Sequence, residues 1–268
     1  MGHPRADVAY RLKQISAAWT EAPSAAEMNE LLRLLARWRS YALTQTFLAH
    51  HGPIIYQGPF AGMTYVEAAS EGALIPRLLG TYESELHPHI AAVAEAGLDC
   101  VIDVGCAEGY YAVGLARQLA GVTVHAHDID EMARTLCAKL AAKNGVADRV
   151  VVGGEFRPED FQRFAGRRAL VMVDTEGAEL DILDPARGPA LAGMTIIVET
   201  HDIYRTGARQ TLIDRFSATH DILQVNEGPK SQPLPVWLQE LSPLDKLLAV
   251  WEWRMMPTPW LVMRPKAR

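Results

Sequence analysis

The stretch that most constrains the fold of this chain is VIDVGCAEGYYAVGLA, residues 101–116. It begins as an apolar run broken by one aspartate, turns through Gly105 and Gly109, and continues with apolar residues at helical spacing. A short strand, a tight turn and a helix in direct succession are the start of a βαβ unit. Units of this kind build a parallel sheet whose two faces are covered by helices.

The same alternation of strands and helices continues well beyond this stretch. Helical patterns follow at 109–120 and 130–144, and the segments HDILQV and PWLVMRP supply two strand patterns near the end. The predicted strands are 100–104, 122–127, 149–152, 169–173, 194–198, 220–225 and 259–265. We therefore expect an α/β fold, a Rossmann-like seven-strand doubly wound sheet with helices on both faces.

The chain before this alternation has a different pattern. Apolar residues recur every three or four positions in 5–20 and 25–49, which predicts two amphipathic helices. We assign residues 1–80 to a helical N-terminal cap or lid and residues 81–268 to the sheet domain. A tryptophan-rich, partly helical insertion is expected at about 226–257, between the last two strands.

Composition limits the classes of partner. The chain has 268 residues, 49% of them hydrophobic, which is enough for one substantial core. Its formal net charge is −6 and its Lys and Arg residues are dispersed, so we expect no nucleic-acid partner. No window approaches the roughly 18 apolar residues of a membrane span, and the N-terminus lacks a signal-peptide pattern. We expect a cytoplasmic protein without a membrane partner, and apolar positions in the first two helices permit a homodimer.

The turn at residues 105–109, called the glycine turn below, indicates the kind of ligand. It reads Asp103-x-Gly105-x-x-x-Gly109, with Cys106 where the dinucleotide fingerprint GxGxxG has its second glycine. An aspartate at the end of the strand is poorly suited to a polyanion, so the pattern favours a cationic or zwitterionic ligand. A purely structural strand-to-helix turn is the alternative. We expect Cys106 to be a buried thiol, as we do Cys100 and Cys137.

In these motifs, residues 101–199 resemble class I S-adenosylmethionine-dependent methyltransferases. The resemblance implies that Asp103, Gly105, Cys106 and Gly109 contact the methionine part of the cofactor or support the turn that does. The segments VMVDTEGAELDIL and IIVETH are similar, more narrowly, to the FkbM-type family.

The resemblance also assigns the nucleoside part of S-adenosylmethionine. Asp128, in VTVHAHDID with Ile129 beside it, matches the acidic residue that binds both ribose hydroxyls, a task a carboxylate performs by charge-assisted hydrogen bonds. A solvated loop is the alternative for Asp128, and Asp130 is expected to cap the next helix. In VVVGGEF, Glu155 matches the position at which members of the family usually contact the adenine. Upstream, Glu83 is expected to contact the ammonium group of the cofactor, with helix capping as the alternative.

Acidic residues and one imidazole gather at the ends of the fourth and fifth strands. They are Asp174, Glu176, Glu179, Glu199, His201 and Asp202. In one interpretation His201 is a general base oriented by Asp174 or Glu199. In a second, Asp174, Glu199 and His201 hold Mg²⁺ or Mn²⁺. In a third, the acids cap helices or pair with Arg205 and Arg209, which we favour for Glu179 and Asp181.

The segment WEWRMMPTPWLVM before the last strand is a candidate acceptor wall. Trp253 and Arg254, together with Glu176, are expected to contact the acceptor, since aromatic walls with a few polar groups are typical of small-molecule sites. Alternating core residues of a strand are the other interpretation. The function we expect is methyl transfer from S-adenosylmethionine to an oxygen of a small metabolite or sugar-like acceptor. A non-catalytic methyltransferase-like binding module and an NAD-dependent dehydrogenase are the alternatives.

Overall fold

A seven-stranded sheet lies at the centre of the molecule. The computed structural model describes residues 4–17, 19, 22–66 and 72–267, and the strand order in the sheet is β3-β2-β1-β4-β5-β7-β6. The strands are β1 (Cys100–Val104), β2 (Thr123–His127), β3 (Val150–Gly153), β4 (Ala169–Val173), β5 (Thr195–Glu199), β6 (His220–Val225) and β7 (Trp260–Pro265). Strands β1 to β5 pair in parallel, whereas β7 is antiparallel to both β5 and β6. The predicted fold is confirmed.

Helices cover both faces of this sheet, because successive residues of its central strands alternate between two apolar clusters. Val101 and Met172 belong to one cluster, and Ile102 and Val171 belong to the other. The helices after β1 are α5 (Tyr110–Gln118), α6 (Glu131–Lys143), α7 (Glu179–Ile182), α8 (Ala208–Phe216), α9 (Val236–Gln239) and α10 (Pro243–Val250). Short 3₁₀ helices occupy Ser84–Leu86, Pro158–Phe164 and Pro189–Gly193.

The helices before β1 are α1 (Pro4–Ala17), α2 (Ala25–His51), α3 (Leu74–Leu79) and α4 (His87–Glu95). Residues of α2, α3 and α4 join one of the two apolar clusters, whereas α1 contacts α2. A capping box between Ser24 and Glu27 starts α2, whose Leu43 and Phe47 enter the same apolar cluster as Val101. Residues 1–3, 18, 20, 21 and 67–71 of the predicted cap lie outside the described residues. No helix in the described part of the chain has the length and apolarity needed to cross a bilayer.

The sheet also fixes where a ligand can bind. Strand β2 lies on one side of β1 and β4 on the other, so the chain reverses its direction of winding between β1 and β4. In doubly wound sheets the crevice at such a reversal, outside the carboxyl ends of the strands, is where ligands bind. Gly105, Asp128 and Asp174 each follow directly after one of the parallel strands β1, β2 and β4, and so they meet at this edge.

Candidate ligand-binding and active site

The glycine turn is packed too tightly for any residue but glycine at its first position. Gly105 has φ +86°, and a Cβ built there would lie 1.7 Å from the carbonyl oxygen of Asp174. Asp128 holds the turn from β2, since its Oδ2 accepts a hydrogen bond of 2.9 Å from the backbone N–H of Ala107. Gly109, with φ +97°, starts α5 against Cys137. Asp130 caps α6 as predicted, by accepting a hydrogen bond from Met132 N–H.

Two adjoining cavities meet at the glycine turn. The larger has a volume of about 1010 Å³ and lies outside the carboxyl ends of the strands. The smaller, of about 40 Å³, lies behind the turn. Gly105, Ala107 and Asp174 line both cavities, together with Arg77 and Tyr82. A ligand whose body occupies the large cavity can therefore place a small head group in the small one.

Most of the predicted ligand-binding residues line one of these two cavities. Those on the large cavity are Gly105, Asp128, Ile129, Glu155, Asp174, Glu176, Glu199, His201, Trp253 and Arg254. Those on the small cavity are Asp103, Gly105, Cys106 and Asp174. Gly109 and Glu83 line neither cavity. The structure thus brings most of these residues together around two adjoining cavities, while their ligand contacts stay predictions.

Asp103 and Cys106 are buried behind the glycine turn. Asp103 is 4% exposed, and its Oδ2 has no hydrogen-bond partner. Burial, together with the charge of Asp128, raises the pKa of Asp103 to about 7. A hydrogen bond with Cys137, together with burial, raises the pKa of the Cys106 thiol far above its ordinary range. Cys106 is therefore a neutral packed thiol rather than an activated nucleophile.

A buried group of charged side chains, called the ion cluster below, fastens the insertion to the rest of the site. Its members are Glu83, Glu85, Glu199, Lys230, Glu252 and Arg254. Arg254 lies 2.6 Å from Glu83 and 3.0 Å from Glu252, and its Nη1 donates to Glu199 and Thr258. Burial raises the pKa of Glu83 to about 8. The predicted ligand contacts of Glu83 and Arg254 stay predictions, since both charges are paired within the protein.

His201 lines the large cavity and is surrounded by carboxylates. Its Nδ1 lies 2.6 Å from Glu179 Oε1, and its Nε2 lies 3.4 Å from Glu176, 3.4 Å from Glu199 and 3.8 Å from Asp174. Burial alone would lower the pKa of His201, but hydrogen bonds with Glu179 and Glu199 raise it to about 11. In this arrangement His201 is an imidazolium, which has no lone pair with which to accept a proton.

Glu179 is the functional neighbour that the sequence interpretation missed. It is fully buried at the start of α7, where it accepts a hydrogen bond from Gly177 N–H, as a helix-capping residue would. The same oxygen, Oε1, faces His201 Nδ1 and fixes the orientation of the ring. The ion-pair interpretation is correct for two other acids, because Arg205 lies 2.8 Å from Asp181 and Arg209 lies 3.7 Å from Asp202.

Three side chains at this point are arranged as possible metal ligands. Asp174, Glu176 and His201 each offer one donor atom, and these atoms lie within 4.8 Å of one another. The predicted set has Glu199 in place of Glu176. Glu199 Oε2 is near His201, but its Oε1 accepts hydrogen bonds from Arg254 and Thr258.

Backbone strain is concentrated around the two cavities. Four non-glycine residues in the described part of the chain have positive φ: Glu83 (46°), Ala107 (47°), Glu176 (51°) and Trp253 (66°). Three of them line the large cavity, and Glu83 belongs to the ion cluster. Conformations of this kind cost about 1–3 kcal/mol each and gather at functional sites.

Trp253 connects the cavity wall to the N-terminal helices. Its indole N–H donates to Ser40 Oγ at 3.3 Å, and the guanidinium of Arg37 lies 5.4 Å from its ring centre. Both partners belong to α2. Trp253 therefore forms cavity wall in a loop, whereas Trp260 begins β7 and is buried. The rim of the large cavity also contains largely apolar residues that are more than half exposed, namely Ile129, Ile203, Tyr204, Met255 and Met256.

No family model matches the sequence, and no curated protein matches it. Among solved structures, an O-methyltransferase from Bacillus cereus, in complex with SAH, is 14% identical over 92% of this chain and 94% of its own, with a TM-score of 0.46. The O-methyltransferase TomG from Streptomyces achromogenes, involved in tomaymycin synthesis and in complex with SAM, is 11% identical over 85% of this chain and 90% of its own, with a TM-score of 0.47. At these identities and scores, the likenesses carry no argument about function.

Proposed function

We propose that this protein is a methyltransferase that uses S-adenosylmethionine and acts on an oxygen of a small-molecule acceptor. The observation that carries the proposal is the aspartate-flanked glycine turn at the junction of two cavities of about 40 and 1010 Å³. When bound, S-adenosylmethionine supplies a sulfonium methyl group to an acceptor held in line with it. The tasks of the chain are to bind the two reactants, align them and manage the proton of the acceptor.

The residues around the turn fit the sulfonium nucleoside. The missing Cβ of Gly105 allows close approach to the backbone, and the unpartnered Oδ2 of Asp103 can accept a hydrogen bond from a positively charged group, whose charge would favour the ionised form of this carboxyl. Asp128 already accepts hydrogen bonds from the backbone N–H groups of Ala107 and Asp130, at 2.9 and 2.8 Å. Its two oxygens can accept further hydrogen bonds from the ribose hydroxyls. Ile129 and Glu155, on the wall of the same cavity, are assigned to the adenine. A pyrophosphate would meet two carboxylates here, which disfavours a dinucleotide.

The charged side chains beyond the glycine turn support a position for the acceptor. Asp174 and Glu176 have side chains that are 33% and 53% exposed, so their oxygens can accept a hydrogen bond from an acceptor hydroxyl. The apolar rim beside Trp253 suits the body of the acceptor. The finer resemblance to FkbM-type enzymes rests on the segment that contains Asp174 and Glu176.

A divalent cation is part of the same proposal. Asp174, Glu176 and His201 would hold it, with Glu199 beside them, and carboxylates with one imidazole suit Mn²⁺ or Mg²⁺. His201 would release the proton of Nε2 on binding the cation, because only the neutral ring is a metal ligand. A cation in this position would lower the pKa of the acceptor hydroxyl. Glu179 orients the ring through Nδ1, as carboxylates do for metal-binding histidines.

Titration calorimetry with S-adenosylhomocysteine and with NAD tests the proposal. We expect S-adenosylhomocysteine to bind and NAD not to bind. Asp128→Ala should raise the Kd of S-adenosylhomocysteine at least about tenfold, because two hydrogen bonds to a charged group are lost. Asp148→Ala, at an exposed position in the loop before β3, is the matched control and should leave the affinity unchanged. Binding of NAD without binding of S-adenosylhomocysteine would favour a dehydrogenase.

Turnover separates an enzyme from a binding module. The protein is incubated with methyl-labelled S-adenosylmethionine and hydroxyl-bearing acceptors, with and without Mn²⁺, and the formation of S-adenosylhomocysteine is measured. Transfer to an acceptor supports the proposal. Cofactor binding without transfer under any of these conditions would favour a non-catalytic methyltransferase-like module.

A further inference from the structure

Four acid, tyrosine and tryptophan side chains that line the small cavity each carry a buried polar atom without a hydrogen-bond partner. The atoms are Asp103 Oδ2, Asp174 Oδ1, the hydroxyl of Tyr110 and the indole Nε1 of Trp260. Asp103, Tyr110 and Trp260 are 4%, 6% and 1% exposed. Buried polar groups in proteins are almost always hydrogen-bonded, so four such exceptions at one small cavity require an explanation.

The chemistry of these groups defines what can satisfy them together. An indole N–H is a donor only and needs an acceptor, whereas a carboxylate oxygen needs a donor. The hydroxyl of Tyr110 can donate or accept a hydrogen bond. A complementary ligand therefore presents an acceptor and a donor at the same time, as the carboxylate and the ammonium of an α-amino acid do.

The dimensions of the small cavity agree with this chemistry. One ordered water needs about 10–15 Å³, so about 40 Å³ has room for roughly three heavy atoms, those of the carboxylate, while the ammonium would lie at the opening toward the large cavity. The nucleoside does not fit there. Gly105, Ala107 and Asp174 open the small cavity to the large one, so a head group can enter from the nucleoside side.

We propose that Tyr110 and Trp260 bind the carboxylate of the amino-acid end of the cofactor, while Asp103 accepts a hydrogen bond from its ammonium group. This inference rests on the proposed function and adds two specificity-determining residues to it. Tyr110 is the first residue of α5 and Trp260 the first residue of β7, so the recognition joins the glycine turn to the far half of the sheet. It makes the site selective for nucleosides that carry an amino-acid group.

Two ligands and two conservative variants test the inference by titration calorimetry. S-adenosylhomocysteine carries the amino-acid end, and 5′-methylthioadenosine keeps the nucleoside and sulfur but lacks that end. Tyr110→Phe and Trp260→Phe should each raise the Kd of S-adenosylhomocysteine about 10- to 100-fold, because a hydrogen bond to a charged group is lost. The affinity for 5′-methylthioadenosine should change less than about twofold. Since the removed hydroxyl has no partner in the free protein, Tyr110→Phe should also melt no earlier than wild type, whereas Trp260→Phe leaves a cavity in the core and should melt earlier.

A matched control removes a group that already has a partner elsewhere. Trp237→Phe deletes an indole N–H that donates to His51 at 3.0 Å. This control should lower the melting temperature and leave the ratio of the two affinities unchanged.

Each contrary result is distinguishable. Equal weakening of both ligands, or no weakening in either variant, would mean that only water satisfies these groups, and the inference would be wrong. Wild-type protein that binds 5′-methylthioadenosine as tightly as S-adenosylhomocysteine would also overturn it, although the nucleoside site would stand. If neither nucleoside binds, the proposed function fails and the inference fails with it.

Discussion

Replacing Asp103 by asparagine tests how strongly the fold resists a negative charge behind the glycine turn. Burial and the nearby charge of Asp128 raise the pKa of Asp103 from an ordinary value of 3.8 to about 7. The unfolded chain releases this proton near pH 4, whereas the folded protein keeps it until about pH 7. Between these values the folded state binds more protons, so the contribution of Asp103 to the free energy of unfolding falls as pH rises.

The size of the effect follows from the two pKa values. Each pKa unit corresponds to 1.36 kcal/mol, so a shift of roughly three units is worth about 4 kcal/mol over the whole range. Between pH 5 and pH 8 the free energy of unfolding of wild type falls by about 2–3 kcal/mol through this group. The change is smaller than about 4 kcal/mol because part of the fall occurs below pH 5, where the unfolded chain already loses its proton, and little occurs above pH 7, where the folded protein has lost its own. Asparagine does not ionise. The free energy of unfolding of Asp103→Asn minus that of wild type should therefore increase by about 2–3 kcal/mol from pH 5 to pH 8.

Urea unfolding followed by tryptophan fluorescence at pH 5, 6, 7 and 8 measures this difference. Groups that titrate in both proteins cancel in the subtraction. Asp221→Asn, at an exposed position of the edge strand β6, is the matched control for the exchange of a carboxyl for an amide. If the difference for Asp103→Asn is constant within about 0.5 kcal/mol, the carboxylate is ionised throughout and the argument from burial is refuted.

Three further substitutions probe the turn, the ion cluster and the acidic end of the cavity. Gly105→Ala places a Cβ 1.7 Å from the Asp174 carbonyl oxygen at φ +86°, so we expect a loss of more than about 3 kcal/mol in urea unfolding and no detectable binding of S-adenosylhomocysteine. Arg254→Met leaves buried carboxylates without their cation and should cost about 3–5 kcal/mol. In the same assay, Arg209→Met on the partly exposed pair should cost about 0–1 kcal/mol, and equal losses would contradict the role of burial. Glu176→Gln should weaken Mn²⁺ at least about tenfold in calorimetry, and an unchanged Kd would exclude it as a ligand.

Much of the fold follows from local sequence patterns, because the central strands are buried on both faces and appear as short, almost uninterrupted apolar runs. The predicted bounds of β1 and β4 are those of the structure. Helix α3 was not predicted, since the surrounding segment is rich in glycine and proline. All six of its residues are buried, so tertiary packing determines this helix more than local propensity does.

The location of the site was also predictable, whereas its internal contacts were not. Residues that follow parallel strands must meet at one edge of the sheet, which is why Asp128 and Asp174 line the same cavity. Arg254 and Glu83 are 171 positions apart, and no local periodicity reports their ion pair. The unpartnered state of Tyr110 and Trp260 is likewise a property of packing in three dimensions.

The attachment of Trp253 to α2 has a consequence for how the wall of the large cavity can change. The indole that forms part of the wall is held by Ser40 and Arg37, which belong to a helix outside the sheet. We expect a substitution at either position to move the wall without moving the strand ends that precede Asp128 and Asp174. If the proposed function holds, the preference for an acceptor can thus diverge through α2 while the glycine turn stays the same.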